Sequence, residues 1–255
     1  MRELAGRVAV VTGASREQGI GAAVCRALAG MGASIFFTHW TAFDAHTGFA
    51  IGSGPDALLA ELRETVPAAA REMDLSEPGA AIRVMDAVQD SLGVPSILIN
   101  NAAYWAPASF RDLTEEVLDQ HLAVNARATT MLAVELVRRA SPYGWGRIIS
   151  LVSGQDHGGE VNNLPYGSSK GAVSAMTRYL ALEAAPFGIT VNALDPGPTD
   201  TGWMDKETKA AVLEQSPAGR IGLPEDAARA VAFLASPAAD WITGQVIRAD
   251  GGFPG

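Results

Sequence analysis

The chain has a single cysteine, Cys25, in 255 residues. No internal disulfide can form, and the composition fits a reducing cytoplasm. No apolar run approaches the ~18 residues that a membrane span requires. The opening Met1-Arg2-Glu3-Leu4-Ala5-Gly6-Arg7 lacks the anatomy of a signal peptide. Basic charge is scarce: 19 Lys and Arg against 28 Asp and Glu give a net charge of −9. Nucleic acid and anionic membranes are therefore not expected partners. Four scattered histidines without Cys/His spacing argue against a metal site. What is plentiful is apolar surface, 48% of residues against 18% charged, which describes a globule with a large core. Cys25 falls within an alanine-rich helical pattern and reads as a small buried hydrophobe.

Short apolar runs alternate with longer helical patterns. Strands are expected near residues 8–11, 34–37, 70–73, 97–99, 147–151, 190–194 and 245–248. They are almost continuously hydrophobic, as parallel strands buried on both faces should be. Helices are expected over 20–30, 55–65, 80–92, 115–139, 166–185 and 225–235. Repeated strand–helix alternation implies right-handed crossovers and an α/β fold, a doubly wound parallel sheet of seven strands with helices on both faces. With no repeat, linker or composition break, residues 1–255 read as one domain. Two long connections, 39–54 and 195–217, fit the alternation poorly. Both follow strand C-termini, the edge where ligands bind in open α/β sheets.

The stretch Tyr166-Gly167-Ser168-Ser169-Lys170 places a phenol and an ammonium four residues apart on one helix face. An unaided phenol titrates near pH 10, so a fixed cation that favours phenolate would suit it to proton transfer. Pro165 suits a helix start and Gly188 a helix end. The pair would then lie in the first turn, where the positive helix end lowers the phenol further. Ser153 follows the strand-like run Arg147-Ile148-Ile149-Ser150-Leu151 and could reach the same point. After the first strand comes Thr12-Gly13-Ala14-Ser15-Arg16-Glu17-Gln18-Gly19-Ile20-Gly21, leading into a helix. Glycines there let the backbone approach a pyrophosphate, and the helix N-terminus offers free N–H groups; an ordinary βα turn is the alternative.

These motifs together resemble the compact, single-domain short-chain dehydrogenase/reductase family, in the manner of 3-oxoacyl-acyl-carrier-protein reductases, nearly end to end. The resemblance implies a cofactor loop at Gly13, Ser15, Arg16, Gly19 and Ile20. It implies adenine contacts from Asp74 and Leu75, and a ribose border from Asn101 and Ala102 within Asn100-Asn101-Ala102-Ala103. Asn125 matches the helix-breaking residue of a water-mediated proton relay. Ser153, Tyr166 and Lys170 match the catalytic set, with Tyr166 and Lys170 also touching cofactor. Pro196, Gly197, Thr199 and Thr201 match the nicotinamide-side motif, and Asp250-Gly251-Gly252 the usual ending. One departure is plain: five residues separate Gly13 from Gly19, where the family usually has three.

The activity so implied is hydride transfer between NADP(H) or NAD(H) and a carbonyl or secondary alcohol, with a 3-oxoacyl thioester as the candidate substrate. An NAD(P)-dependent dehydrogenase of a sugar or polyol is the enzymatic alternative, and a cofactor-sensing regulator the non-enzymatic one. Cofactor choice turns on the end of the second strand, Thr38-His39-Trp40, which lacks the acid that would bond a ribose 2′-hydroxyl. With Arg16 nearby, NADP(H) is favoured over NAD(H), against which stands Glu17. His39 is placed beside the adenosine half. An acidic carrier protein would need basic residues, and Arg138-Arg139 and Arg178 are the compact candidates. Tyr104, Trp105, Trp203 and Met204 line a substrate pocket or serve as core or interface residues. His157 either walls that pocket or is a solvated loop residue. Ser153 near Asp156-His157 lacks the nucleophile elbow of a hydrolase. Family members usually form homotetramers, with which the small-residue face Ala172, Ala175, Met176 and Leu180 is compatible.

Overall fold

The first strand, β1 (Val8–Val11), is four apolar residues, all of them buried. Successive side chains of a strand point to opposite faces, and here both faces are covered. Ala9 and Val11 join one cluster with Val24 and Leu28, while Val8 and Val10 join a second with Val84 and Val88. The computed structural model, which describes residues 2–47, 54–156 and 158–254, repeats this plan along the chain.

After β1 come α1 (Ile20–Gly30), β2 (Ser34–His39), α2 (Thr41–Thr47), α3 (Gly54–Arg63), β3 (Ala68–Glu72), α4 (Ala80–Leu92) and β4 (Ile97–Asn100). The second half holds α5 (Glu115–His121), a π-helical stretch Leu122–Ala128, α6 (Thr129–Ala140), β5 (Gly146–Leu151), α7 (Leu164–Ala184), β6 (Ile189–Asp195), α8 (Lys206–Gln215), α9 (Pro224–Ala235) and β7 (Val246–Arg248). The seven strands are ordered β3-β2-β1-β4-β5-β6-β7, and every pairing is parallel. Chain direction across the sheet reverses between β1 and β4, which opens a crevice at their C-terminal ends. On one face α1 and α9 pack through Val24, Leu28, Val231 and Leu234. On the other, α4, α6 and α7 pack through Val84, Leu132, Leu136 and Leu180. Cys25 is fully buried in the first cluster, as expected.

The expected alternation is therefore present, with element ends shifted by a residue or two and the following differences. Part of the 39–54 connection is α2, and Gly54 already begins α3; residues 48–53 lie outside the described residues. The 195–217 connection contains α8, capped by Asp205, whose carboxylate accepts from the Thr208 N–H at 2.8 Å. No residue of α8 is buried, so it carries no apolar stripe to read. The helix expected over 115–139 is broken into α5, the π stretch and α6. β3 starts two residues earlier than its pattern and ends at Glu72.

Candidate active site

The glycine loop is stitched to the end of β4. Asn101 donates from Nδ2 to the Thr12 and Gly13 carbonyls at 2.8 and 2.9 Å, and the Thr12 hydroxyl accepts from the Asn101 and Ala102 N–H groups at 3.1 Å each. Gly13 has φ +73°, and a Cβ there would lie 2.7 Å from the Ala102 Cα. A Cβ at Gly21 would meet the Gly13 carbonyl at 2.7 Å and Asn101 Nδ2 at 2.8 Å. Only glycine fits either place. Gly19 caps α1 without a side-chain hydrogen bond, and the first turn holds no acid. The leading N–H groups and the positive helix end are thus available to an anion. This cradle fits a dinucleotide pyrophosphate.

The two extra loop residues are absorbed by contacts to neighbours. Ser15 Oγ accepts from the Trp40 N–H at 3.1 Å, and Gly19 N–H closes a turn on the Arg16 carbonyl at 3.0 Å. Arg16 donates to the Thr201 carbonyl at 3.4 Å and pairs with Asp44 at 3.8 Å. Thr38 Oγ1 accepts from the Gly13 N–H at 3.3 Å. His39 ends β2 with its imidazole pushed toward the neutral form by burial. Asp74 turns the chain after β3, accepting from the Ser76 N–H at 2.8 Å, and Leu75 is buried beside it. Across the crevice, Gly197 has φ +61° and packs so closely on Asp250 that a Cβ would lie 2.4 Å from the Asp250 Cβ. Thr199 Oγ1 donates to the Pro196 or Gly197 carbonyl at 3.3 and 3.2 Å.

Tyr166 occupies the first turn of α7, with Pro165 at its start. Lys170, one turn on, is buried and donates from Nζ to the Leu151 carbonyl at 2.8 Å. Its ammonium lies 5.7 Å from the centre of the Tyr166 ring. Ser153 lies two residues beyond β5, and its Oγ accepts from the Gln155 N–H at 3.4 Å. Gln155 in turn lies against Gly167, where a Cβ would be 3.5 Å from its Oε1. Serine, tyrosine and lysine therefore sit on adjoining segments at the C-terminal edge of β5.

The electrostatics correct one expectation. The Tyr166 phenol is not lowered but pushed up to about 12, first by burial and then by the negative charges of Asp195 and Glu160. Burial also brings Lys170 down to about 8. Desolvation disfavours both charged forms, and in this cleft it outweighs the lysine and the helix end.

Asn125 is a clamp. It lies in the π stretch, fully buried. Its Oδ1 accepts from the Tyr104 N–H at 2.7 Å, and its Nδ2 donates to the Tyr104 carbonyl and to Ser169 Oγ, both at 2.9 Å. The segment after β4 is thereby joined to α7 beside Lys170. One turn earlier, the His121 ring ties the same segment to α5. Nε2 accepts from the Ala106 N–H at 3.2 Å and Nδ1–H meets the Val117 carbonyl at 2.8 Å, a pattern that requires neutral imidazole.

Of the expected pocket residues, Tyr104 packs its ring between Phe43 and His121. Trp105 is half exposed and donates to Asn163 Oδ1 at 2.7 Å. Trp203 is half exposed and donates to the Thr199 carbonyl at 3.1 Å, whereas Met204 is buried. His157 lies outside the described residues. Asp195, Glu160, Asn163 and His121 were not anticipated. A carboxylate ending the apolar strand Ile189–Asp195 and a histidine four before Asn125 were the available signals.

A parallel sheet with its crevice between β1 and β4, a glycine cradle and a Ser153/Tyr166/Lys170 cluster define a nucleotide-dependent oxidoreductase. The chain belongs to the short-chain dehydrogenase/reductase family: a family profile described as enoyl-(acyl carrier protein) reductase matches residues 13–254. An uncharacterised oxidoreductase of Bacillus subtilis, YjdA, is 47% identical over 249 residues, covering 97% of this chain and 96% of its own. The chloroplastic NADPH-dependent aldehyde reductase 2 of Arabidopsis thaliana is 37% identical over 260 residues, with 98% and 94% covered. A putative short-chain alcohol dehydrogenase of Sinorhizobium meliloti 1021 superposes with a TM-score of 0.89 at 33% identity, covering 99% of this chain and 98% of that one.

Proposed function

We propose that the protein is an NADP(H)-dependent reductase of a small carbonyl compound, able to oxidise the matching secondary alcohol in reverse. The observation that carries this reading is the meeting of Ser153, Tyr166 and Lys170 at the sheet edge adjoining the glycine cradle. A nicotinamide bound along that edge would supply or accept the hydride. Tyr166 then gives its proton to the developing alkoxide oxygen in reduction and takes it back in oxidation. Ser153 hydrogen-bonds the carbonyl oxygen. Lys170 would hold the ribose hydroxyls, and Asn125 ties Tyr104 to α7 through Ser169.

NADP(H) over NAD(H) is supported by the end of β2, where Thr38 turns its hydroxyl to the glycine loop and no acid stands in the 38–40 segment. Arg16 lies at the same edge, with Asp44 as a counter-charge for which a 2′-phosphate would compete. The name of the Arabidopsis relative points the same way. A carrier-bound thioester has less support. Arg138 and Arg139 are engaged by Glu135 and Asp86, and the phenol is flanked by acids.

Assembly as a cytoplasmic homotetramer accompanies this reading. Leu180, expected on the contact face, is buried in the core. Ala172 and Ala175 are exposed and continue along α7 with Tyr179 and Leu182, 73% and 77% exposed, as an apolar stripe. Light scattering should give four copies, and a monomer would remove that part. The function is tested by binding NADPH and NADH to the purified protein and following absorbance loss with aldehydes and ketones. Tighter NADPH binding with turnover is expected. Equal affinities would refute the cofactor preference, and binding without turnover would favour a cofactor-sensing role.

A further inference from the structure

β5 ends at Leu151, and Ser153 follows it. Its two neighbours in the sheet are β4 and β6, paired in register as Asn100 with Ser150 and Leu194 with Leu151. Each neighbour runs on into a segment that carries a half-exposed tryptophan, Trp105 after β4 and Trp203 after β6. The segments bearing the two indoles therefore leave the sheet on either side of the one bearing Ser153.

Both indoles are fixed by their ring nitrogens. Trp105 Nε1–H donates to Asn163 Oδ1 at 2.7 Å, and Asn163 occupies the cap position of α7, three residues before Tyr166. Asn163 Nδ2 donates to Glu160 Oε2 at 2.8 Å, and the same oxygen accepts from Gln155 Nε2 at 2.7 Å. The Gln155 N–H in turn meets Ser153 Oγ at 3.4 Å. Four hydrogen bonds thus connect the Trp105 ring to the serine hydroxyl. Ala108 reinforces this wall, its N–H on the Asn162 carbonyl at 2.8 Å. Asn162 is the one non-glycine with positive φ, +64°, among the described residues. On the far side, Trp203 Nε1–H donates to the Thr199 carbonyl at 3.1 Å. Thr199 follows the turn that the Gly197 N–H fastens to Asp195 Oδ1 at 2.9 Å. Asp195 Oδ2 lies 2.9 Å from the place a Cβ would occupy on Gly154, beside Ser153.

An indole has one polar group, its N–H donor. In both tryptophans that donor is already bonded inside the fold, while the residue stays half exposed. What each offers a ligand is an apolar face held in place, which binds flat apolar groups at low entropic cost. A sugar or polyol would need polar partners that neither ring supplies. Glu160 puts a carboxylate behind the Trp105 wall, which opposes an anionic substrate.

We propose that Trp105 and Trp203 are specificity-determining residues: they form two walls of a slot for an uncharged aldehyde or ketone that bears a flat aromatic substituent. The proposal rests on the reading of Ser153 and Tyr166 as the groups that meet the carbonyl oxygen. The walls act on binding and take no part in moving the hydride or the proton.

The test compares kcat/KM for 2-naphthaldehyde with that for propanal at saturating NADPH, in the parent, Trp105→Ala and Trp203→Ala. The parent should favour the aryl aldehyde at least about tenfold. Each alanine variant should lower that ratio about tenfold, equivalent to ~1.4 kcal/mol. The change should lie mainly in KM, because a wall binds ground and transition states alike. Should an alanine variant not fold, the leucine variant, which keeps apolar bulk without the aromatic face, is read in its place. An unchanged ratio in either folded variant would overturn the proposal. Turnover of propanal by a parent with no aryl preference would sink this inference and leave the proposed function standing. NADPH binding with turnover of neither aldehyde would sink both.

Discussion

Replacing Asn125 with alanine separates two roles that the residue could have. As a link in a water-mediated relay it would matter to rate and little to folding. As the clamp described above it must matter to folding. The substitution removes three hydrogen bonds of 2.7, 2.9 and 2.9 Å from a side chain with no exposed surface. It leaves the Tyr104 N–H and carbonyl and the Ser169 hydroxyl without that partner. At about 1 kcal/mol net for each bond, the loss is about 3 kcal/mol. In a domain of this size each kcal/mol moves Tm by about 2–4 °C, so a fall of about 6–12 °C is expected. Differential scanning calorimetry reads this directly, and urea unfolding gives an independent ΔG. Asn125→Asp should also destabilise, because its second oxygen would face the Tyr104 carbonyl where an N–H donor stood. A Tm for Asn125→Ala within about 2 °C of the parent would refute the clamp and return the residue to the relay role.

Other consequences follow from the same geometry. Gly21→Ala would force a Cβ to within 2.7 Å of the Gly13 carbonyl; NADPH affinity measured by fluorescence should fall at least about tenfold, equivalent to ~1.4 kcal/mol. Neutral His121 is required by its two bonds and its protonated form is disfavoured by burial. The unfolded chain therefore binds the extra proton first, and stability should decline as pH falls below about 6.5. The denaturation profile of His121→Asn should lack that part of the slope, and its difference from the parent profile isolates the His121 contribution. Leu136→Ala, in the fully buried contact of α6 with the sheet, should cost about 2–5 kcal/mol by urea unfolding. Cys25 is fully buried and its thiol is pushed far up by desolvation, so thiol reagents should label it only on unfolding.

Much of this arrangement is legible in the residues alone, for reasons that particular elements make clear. β1, α1 and α4 are bounded as their patterns predict, because apolar runs and helical stripes meet Gly19, Gly79 and Gly93 at their ends. α8 left no trace because all ten of its residues face water at least in part, and a helix without a buried face has no apolar period. The π stretch is signalled only through the resemblance, by the helix-breaking Asn125; apolar residues run on across it, with Val124, Ala128, Leu132 and Leu136 all buried, so the hydrophobic pattern alone reads as one helix. Ser153, Tyr166 and Lys170 could be found from spacing, but the sign of the phenol shift could not. It depends on burial and on the negative charges of Asp195, 29 residues further on, and of Glu160, none of which the Tyr-x-x-x-Lys spacing reveals.

The most direct test of the central claim is single-turnover reduction of an accepted aldehyde by NADPH with Tyr166→Phe beside the parent protein. The account predicts a rate lower by about 10²–10⁴-fold, the contribution of a positioned acid, with NADPH affinity nearly unchanged. A Tyr166→Phe protein that turns over at close to the parent rate would show that the proton comes from elsewhere and contradict the account.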